Sequence, residues 1–191
     1  MLFRSFLPIN RIGGTPYAGS TRLVPIVSSG GLTSAAMYDG DLVELTSAGT
    51  CQTVSSGTAA PQALGVCVGV QYVNSLGQTV QAQYAPANST NAVAYVVDDP
   101  SALFKVAMVS SGTTIAGLGR TAVGQNTSVI LNSGSATTGD SKQAISSTTN
   151  ITATLPIRIV DVVPETATGA DTFVEFVVKI NTHTYLNTTG V

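Results

Sequence analysis

Charge is what this chain has least of. Charged residues fill 9% of its 191 positions, against about 25% in a typical soluble domain. Ser, Thr, Asn, Gln, Gly and Ala take their place. A freely diffusing protein generally stays soluble by charge. Short uncharged polar side chains can instead lie against a neighbour without stranding buried ions. The composition therefore favours a subunit over a free enzyme. Net charge is −2, and the eight basic residues are scattered from Arg4 to Lys179. With no basic cluster to neutralise phosphates, nucleic acid and anionic membrane surfaces are not expected partners.

Other shortages narrow the chemistry. Tryptophan is absent and histidine occurs once, as His183, so any Ser-His-Asp or Cys-His arrangement would have to use that residue. No G-x-S-x-G elbow and no glycine-rich phosphate cradle occurs. The close acidic pairs, Asp39/Asp41 and Asp98/Asp99, do not continue into a calcium loop and read as a turn and a cap. A glycosidase would need two placed carboxylates, and sugar sites usually add aromatic platforms that this chain has few of. No cofactor, metal or catalytic residue is expected. No run approaches the ~20 apolar residues of a membrane helix. The opening MLFRSFLPINR is broken by Pro8 and Arg11, too early for a signal peptide, and the reading is of a protein made in a cytosol. Cys51 and Cys67 then read as reduced thiols, with a disulfide between them as the alternative. The sequons at Asn88, Asn126, Asn150 and Asn187 are what chance gives a chain rich in Asn, Ser and Thr.

What is present is strand signal between Gly, Ser, Asn and Asp punctuation, with almost no helical period. The expected fold is all-β, an antiparallel β-sandwich or β-barrel with an extended N-terminal arm and long loops. Residues 1–30 read as the arm, interrupted by Pro8, Gly13, Gly14, Pro16, Gly19 and Pro25, with an edge strand over Arg22–Val27. Residues 31–191 read as the β-rich domain, either single or as two small β units divided near 86–100 or 132–150. Strands are expected over Leu42–Thr46, Leu64–Val73, Gln78–Tyr84, Ala92–Val97, Leu103–Val109, Ile151–Val163 and Thr172–Asn181. In the second of these, Val66, Val68, Val70 and Tyr72 should share a face, while Gly65 and Gly69 opposite suggest close backbone approach or a bend. Asp99 and Pro100 should start one helical turn. Residues 110–127 and 132–150 read as loops. In the last strand Val174, Phe176, Val178 and Ile180 should face the core. There is no internal repeat.

The order of these segments is specific. Gly40-Asp41-Leu42-Val43, then Leu64-Gly65-Val66 and Gly69-Val70-Gln71-Tyr72, then Val97-Asp98-Asp99-Pro100 with Leu103-Phe104-Lys105-Val106, and the closing Leu155–Val160 and Val177–His183 resemble structural head proteins of tailed bacteriophages of marine and cyanobacterial type. The resemblance covers roughly residues 38–185 in pieces. Gly-Asp-Leu-Val followed by Gly-Val is also similar to capsid decoration, or cement, proteins built on small β-barrels. It implies a virion protein on the outer capsid surface, made in the bacterial host cytoplasm, that clamps the major capsid protein and commonly works as a homotrimer. It brings no catalytic motif.

On that reading the N-terminal arm is the expected capsid interface. Phe3, Phe6, Leu7 and Ile9 would be its apolar anchors and Arg4 and Arg11 its polar ones, burying area by strand addition along a neighbour. The competing expectation is that these residues pack on their own domain. Other roles weighed are a phage tail or head-fibre subunit, which usually carries repeats, a secreted adhesive module, and a carbohydrate-active sandwich.

Overall fold

The computed structural model describes residues 5–57, 62–166, 173–187 and 190. Phe3 and Arg4 lie outside them. The fold is all-β, as expected, with three single-turn 3-10 segments among the described residues. In chain order the strands are β1 (Leu7–Arg11), β2 (Arg22–Pro25), the two-residue strands β3 (Ser28–Ser29), β4 (Leu32–Thr33) and β5 (Met37–Tyr38), then β6 (Leu42–Leu45), β7 (Cys51–Thr53), β8 (Ala63–Val73), β9 (Thr79–Ala82), β10 (Tyr84–Ala85) and β11 (Thr90–Val97). After the Asp98–Ser101 turn come β12 (Ala102–Ser111), β13 (Thr114–Ile115), β14 (Asn126–Ile130), β15 (Ala144–Asn150), β16 (Ile157–Val162) and β17 (Glu175–Ile180).

The later strands close on themselves. β12 pairs β15, β15 pairs β14, β14 pairs β16, β16 pairs β17, and β17 returns to β12, making a five-stranded barrel. The β12–β15 contact is parallel and the others are antiparallel. The earlier strands form a curled sheet in the order β3-β4-β11-β8-β6-β7, with β2 along β11 and β9 along β8. Its rim is drawn together by a parallel bridge from Ile26 to Cys51 and by the Val27 amide donating to the Cys51 carbonyl at 2.8 Å. The change of sheet falls at the Asp98–Ser101 turn, and among the described strands before it only β1 belongs to the later sheet.

Each sheet closes over a core. Phe104, Phe176, Met108, Ile145, Ile157, Ile159, Val178 and Ile180 fill the barrel, and Leu42, Ala63, Val66 and Val97 reach into the same cluster from the curled sheet. The second cluster, Val24, Ile26, Met37, Val43, Cys51, Leu64, Cys67, Val70, Ala94 and Val96, lines the curled sheet. Val174, Phe176, Val178 and Ile180 all face the barrel core, as their two-residue spacing predicts.

Five expectations change. First, Val66 and Val68 pack with the barrel cluster while Val70 and Tyr72 pack with the other. The register against β11 slips between Ala94 and Val96, and this bulge reverses the facing of everything after it. Gly69, at φ 146°, sits in it. Gly65 meets the expected close approach, since a Cβ there would lie 2.1 Å from the Val97 carbonyl oxygen. Second, residues 144–150 form β15 rather than loop, with Ala144, Ile145 and Ser146 buried. Thr and Ser suit a pleated strand when their hydroxyls are satisfied, and Thr127 Oγ1 donates to the Ser146 carbonyl at 2.6 Å. Third, 110–127 contains β13, a 3-10 turn at Arg120–Ala122 and the start of β14. Fourth, Asp99 caps a β-turn and not a helix: its carboxylate accepts from Ser101 N at 2.8 Å and its carbonyl from Ala102 N at 3.0 Å. Fifth, the strand expected from Ile151 begins at Ile157.

Candidate interaction surface

The N-terminal residues are divided between core and surface. Phe6 is 2% exposed and packs edge-to-face on Phe104, ring centroids 6.5 Å apart. Ser5 is pinned by its hydroxyl to the Gly40 carbonyl. Leu7 to Arg11 run antiparallel to β12, leaving Leu7 exposed and Ile9 half-buried. Arg11 pairs with Asp99. So of the six expected anchors, Phe6 is spent in its own domain, Leu7, Ile9 and Arg11 lie on an edge strand of that domain, and Phe3 and Arg4 are outside the described residues. They are not gathered on one projecting element.

Several of the charges are paired with one another. Four ion pairs, Arg11–Asp99, Arg22–Asp98, Lys105–Glu175 and Arg120–Asp161, use eight of the chain's few charged side chains. Glu44 accepts from Gln52 and from Ser55 N, and Arg158 Nε donates to Asn126 Oδ1. Two of the ion pairs share the turn between the sheets. There Arg22 contacts Asp98 at 2.9 Å, donates to the Tyr185 hydroxyl and lies 5.4 Å from the centroid of that ring. The arrangement ties the start of β2 and the residues after β17 to the turn before β12.

His183 lies beneath this clasp, fully buried, with Nδ1 accepting from Tyr185 N at 3.1 Å. Desolvation pushes its pKa down, against the opposing pull of Asp98 and Asp99, so the ring is neutral at pH 7. No nucleophile is hydrogen-bonded to it among the described contacts. Its Nε2 and the Oε1 of neighbouring Gln62 are buried and have no hydrogen-bond partner among the described residues. Asp41, 3% exposed, is raised to about 6 by burial, offset by hydrogen bonds from Ser141, Tyr38 N and Thr53. Asp39 is also raised, by burial and by Asp140 beside it. Backbone bonds hold the Asp39–Asp41 turn against the 139–141 segment: Ser141 N donates to the Asp39 carbonyl at 2.8 Å and Asp39 N to the Gly139 carbonyl at 3.2 Å. Among the described residues no group of three or more His, Cys, Asp or Glu is arranged to hold a metal.

Cys51 and Cys67 are free, buried thiols. Burial raises Cys51 to about 12 and Cys67 further still, which leaves both protonated and unreactive. Open clefts of about 460, 350 and 350 Å³ are lined by Ser, Thr, Asn, Ala and Pro more than by titratable groups. One of them holds Asp41, Tyr38 and Gln143. Tyr38 is stacked on Tyr84 at 5.5 Å, and Gly134 lies against its ring, so it offers no stacking platform.

Apolar side chains stand out of this uncharged surface at two loop tips. Ile151 is 89% exposed and Leu76 is 80% exposed. Each backbone amide is held by a nearby asparagine: Ile151 N donates to Asn150 Oδ1 at 2.7 Å, and Leu76 N to Asn74 Oδ1 at 2.9 Å. Sequence reasoning placed Ile151 at the start of a core strand. The signal against that was the flanking Asn150 and Pro156, both punctuation residues. Compared with family models, curated proteins and solved structures, the chain matches none.

Proposed function

We propose that this chain is a structural subunit of a tailed-phage head, which binds the outer surface of the assembled shell through the major capsid protein and cements it. The observation that carries the reading is the charge distribution. In a chain with so few charges, four internal ion pairs absorb eight of them. What is left facing outward is dominated by uncharged polar groups with a few projecting apolar ones. Such a surface can be covered by a neighbour at little desolvation cost. The resemblance of its ordered segments to phage head proteins points the same way.

The mechanism follows from linkage. A clip that binds only the expanded lattice stabilises that lattice by mass action. In a homotrimer, which the resemblance suggests, three modest contacts add by avidity and no single one need be tight. A rigid barrel suits the role because it loses little conformational entropy on docking.

Cosedimentation of the purified protein with emptied expanded heads and with unexpanded precursors tests this, with light scattering for the oligomer. The expected result is saturable binding to expanded heads alone, at a copy number set by the lattice. No binding to either form overturns the reading and turns attention to a tail or head-fibre role.

A further inference from the structure

The residues after β17 are held by a bond that forms only while one ring nitrogen carries no proton. His183, fully buried, makes a parallel bridge with Ala63 and stands at the head of the 3-10 turn Thr184–Leu186. Its Nδ1 accepts from Tyr185 N at 3.1 Å. A neutral imidazole has one donor and one acceptor, so this bond puts the ring's proton on Nε2. Tyr185 in turn carries the clasp. Its hydroxyl accepts from Arg22 and donates to Asp98 Oδ2 at 3.4 Å, and the Arg22 guanidinium lies 5.4 Å from its ring centroid. Thr184 Oγ1 adds a bond to the Gln62 carbonyl at 2.9 Å.

Imidazolium donates from both nitrogens. A proton on Nδ1 would face the Tyr185 N–H donor to donor, and the cap on the 3-10 turn would be lost. The charged ring would also stand desolvated, which is costly, and desolvation does lower the pKa of His183. Asp98 and Asp99 pull the other way, but Asp98 is already paired with Arg22 and Asp99 with Arg11. Tyr17 and Tyr185, the other titratable groups beside these carboxylates, have raised pKa values and stay neutral. Gln62, Ala63 and Leu64, on the remaining side, bring no charge. The contacts that would be given up are cheap, because Tyr185 and Leu186 are exposed and Arg22 is half-exposed. Letting go of this short segment therefore frees a buried charge at the expense of surface contacts.

We propose that residues 183–187 are a pH-sensitive latch on the junction of the two sheets, with His183 as its release. One proton taken from solvent turns the Nδ1 acceptor into a donor and expels the Tyr185 amide. The imidazolium then reaches water, and the tyrosine leaves Arg22 and Asp98. The latch stands independently of the head-binding reading. Its sign follows from linkage. The open ring binds the proton with its ordinary affinity and the closed ring more weakly, so the open form gains as pH falls below about 6.5. The gain is up to roughly tenfold per pH unit. Asp41 titrates in the same window with the opposite sign, since its protonation favours the folded state.

His183 is the chain's one histidine, so its ring nitrogens can be followed by NMR without assignment ambiguity. The test records their nitrogen-15 shifts in the full chain from pH 7.5 to 5, together with the hydrogen-exchange protection factors of the Tyr185 and Leu186 amides. The expected result is the Nε2–H tautomer at pH 7.5. Below pH 6.5 the two protection factors should fall by up to roughly tenfold per unit, while Phe176 and Val178 in β17 keep theirs. His183→Asn places an amide oxygen where Nδ1 was, so it keeps an acceptor for Tyr185 N without a titrating group, and its protection should not vary with pH. If that variant does not fold, Arg22→Ala takes its place: it should lower protection by one factor at every pH and keep the wild-type slope. An Nδ1–H tautomer at pH 7.5 overturns the latch, and so does Tyr185 protection that stays flat while the ring titrates. Loss of protection in β17 in step with Tyr185 overturns it in favour of unfolding of the whole domain. A His183→Asn slope equal to that of wild type overturns it in favour of another titrating group.

Discussion

The two sheets solve one problem in different ways. The five strands of the barrel each have partners on both sides, so the ring has no open edge along its closed path. The curled sheet does have edges, and it blunts them with short strands, with Pro25 in β2, and with the Ile26–Cys51 bridge across its rim. A closed ring distributes the loss of any one contact over its neighbours, whereas an open sheet must be held at its rim and at its turns. The barrel should therefore depend on core volume, and the curled sheet on particular backbone and polar details.

The largest expected effect is in the barrel. Phe104→Ala removes the ring that meets Phe6 and is 1% exposed, and should cost about 3–5 kcal/mol in denaturant unfolding. A loss under about 1 kcal/mol would show that the ring of strands, not its filling, sets stability. Deleting residues 2–12 should likewise destabilise the domain, since it takes Phe6 from the core and uncovers part of β12.

Asp41 sharpens the contrast by pH. Its carboxyl is buried and raised from 3.8 to about 6. The folded state therefore holds the proton more tightly than the unfolded chain, and this site's contribution is fully present below about pH 4 and lost as pH rises through about 6. The swing is roughly 3 kcal/mol. Asp41→Asn keeps an acceptor for Tyr38 N and should remove that swing from the stability curve, read as the difference between mutant and wild type from pH 4 to 7.5. His183 tilts the wild-type curve the other way. Its lowered pKa means the unfolded chain takes up the proton first, so its share of stability is lost as pH falls below about 6.5. A mutant curve parallel to wild type would show that Asp41 does not titrate in this window.

Smaller effects probe the meeting of the sheets. Gly65→Ala would place a methyl against the Val97 carbonyl and should cost roughly 1–3 kcal/mol as β8 and β11 are forced apart. The clasp at the Asp98–Ser101 turn is half-exposed, so Arg22→Ala should change stability by under about 1 kcal/mol, with the difference shrinking in high salt. An Arg22→Ala loss that is large and insensitive to salt would show that the clasp holds the two sheets together.

The all-β class, the edge strand at Arg22, the hairpin of β16 and β17 and the inward faces of β17 were legible because alternation of apolar and polar residues survives wherever one face is buried. The break in β8 was not, since a bulge changes facing without changing composition: Val68 and Val70 read alike and pack in different cores. β15 was hidden for a different reason. Its strand character shows only in pairing with β14, where the Thr127 hydroxyl donates to the Ser146 and Thr148 carbonyls. The surface suffered most. Phe6 was legible as an anchor but not as an anchor to its own Phe104, because that contact joins residues far apart in the chain. The bonds from Asn126 to the Thr152 carbonyl and from Asn181 to the Ala153 and Leu155 carbonyls are likewise invisible in sequence, since these residues meet only once the barrel has closed.

That closure also sets an order in time. β12 is flanked by β1 on one side and by β17 on the other. During synthesis β12 emerges long before β17 does. The curled sheet, complete by Val97, can gather its own strands while the chain is still growing. The barrel has to wait, with β12 and its phenylalanine uncovered, until the last strand is made. Pairings across so many residues form slowly, so the interval between those two events is when this protein is most exposed to wrong partners and most in need of a crowded cell's protection.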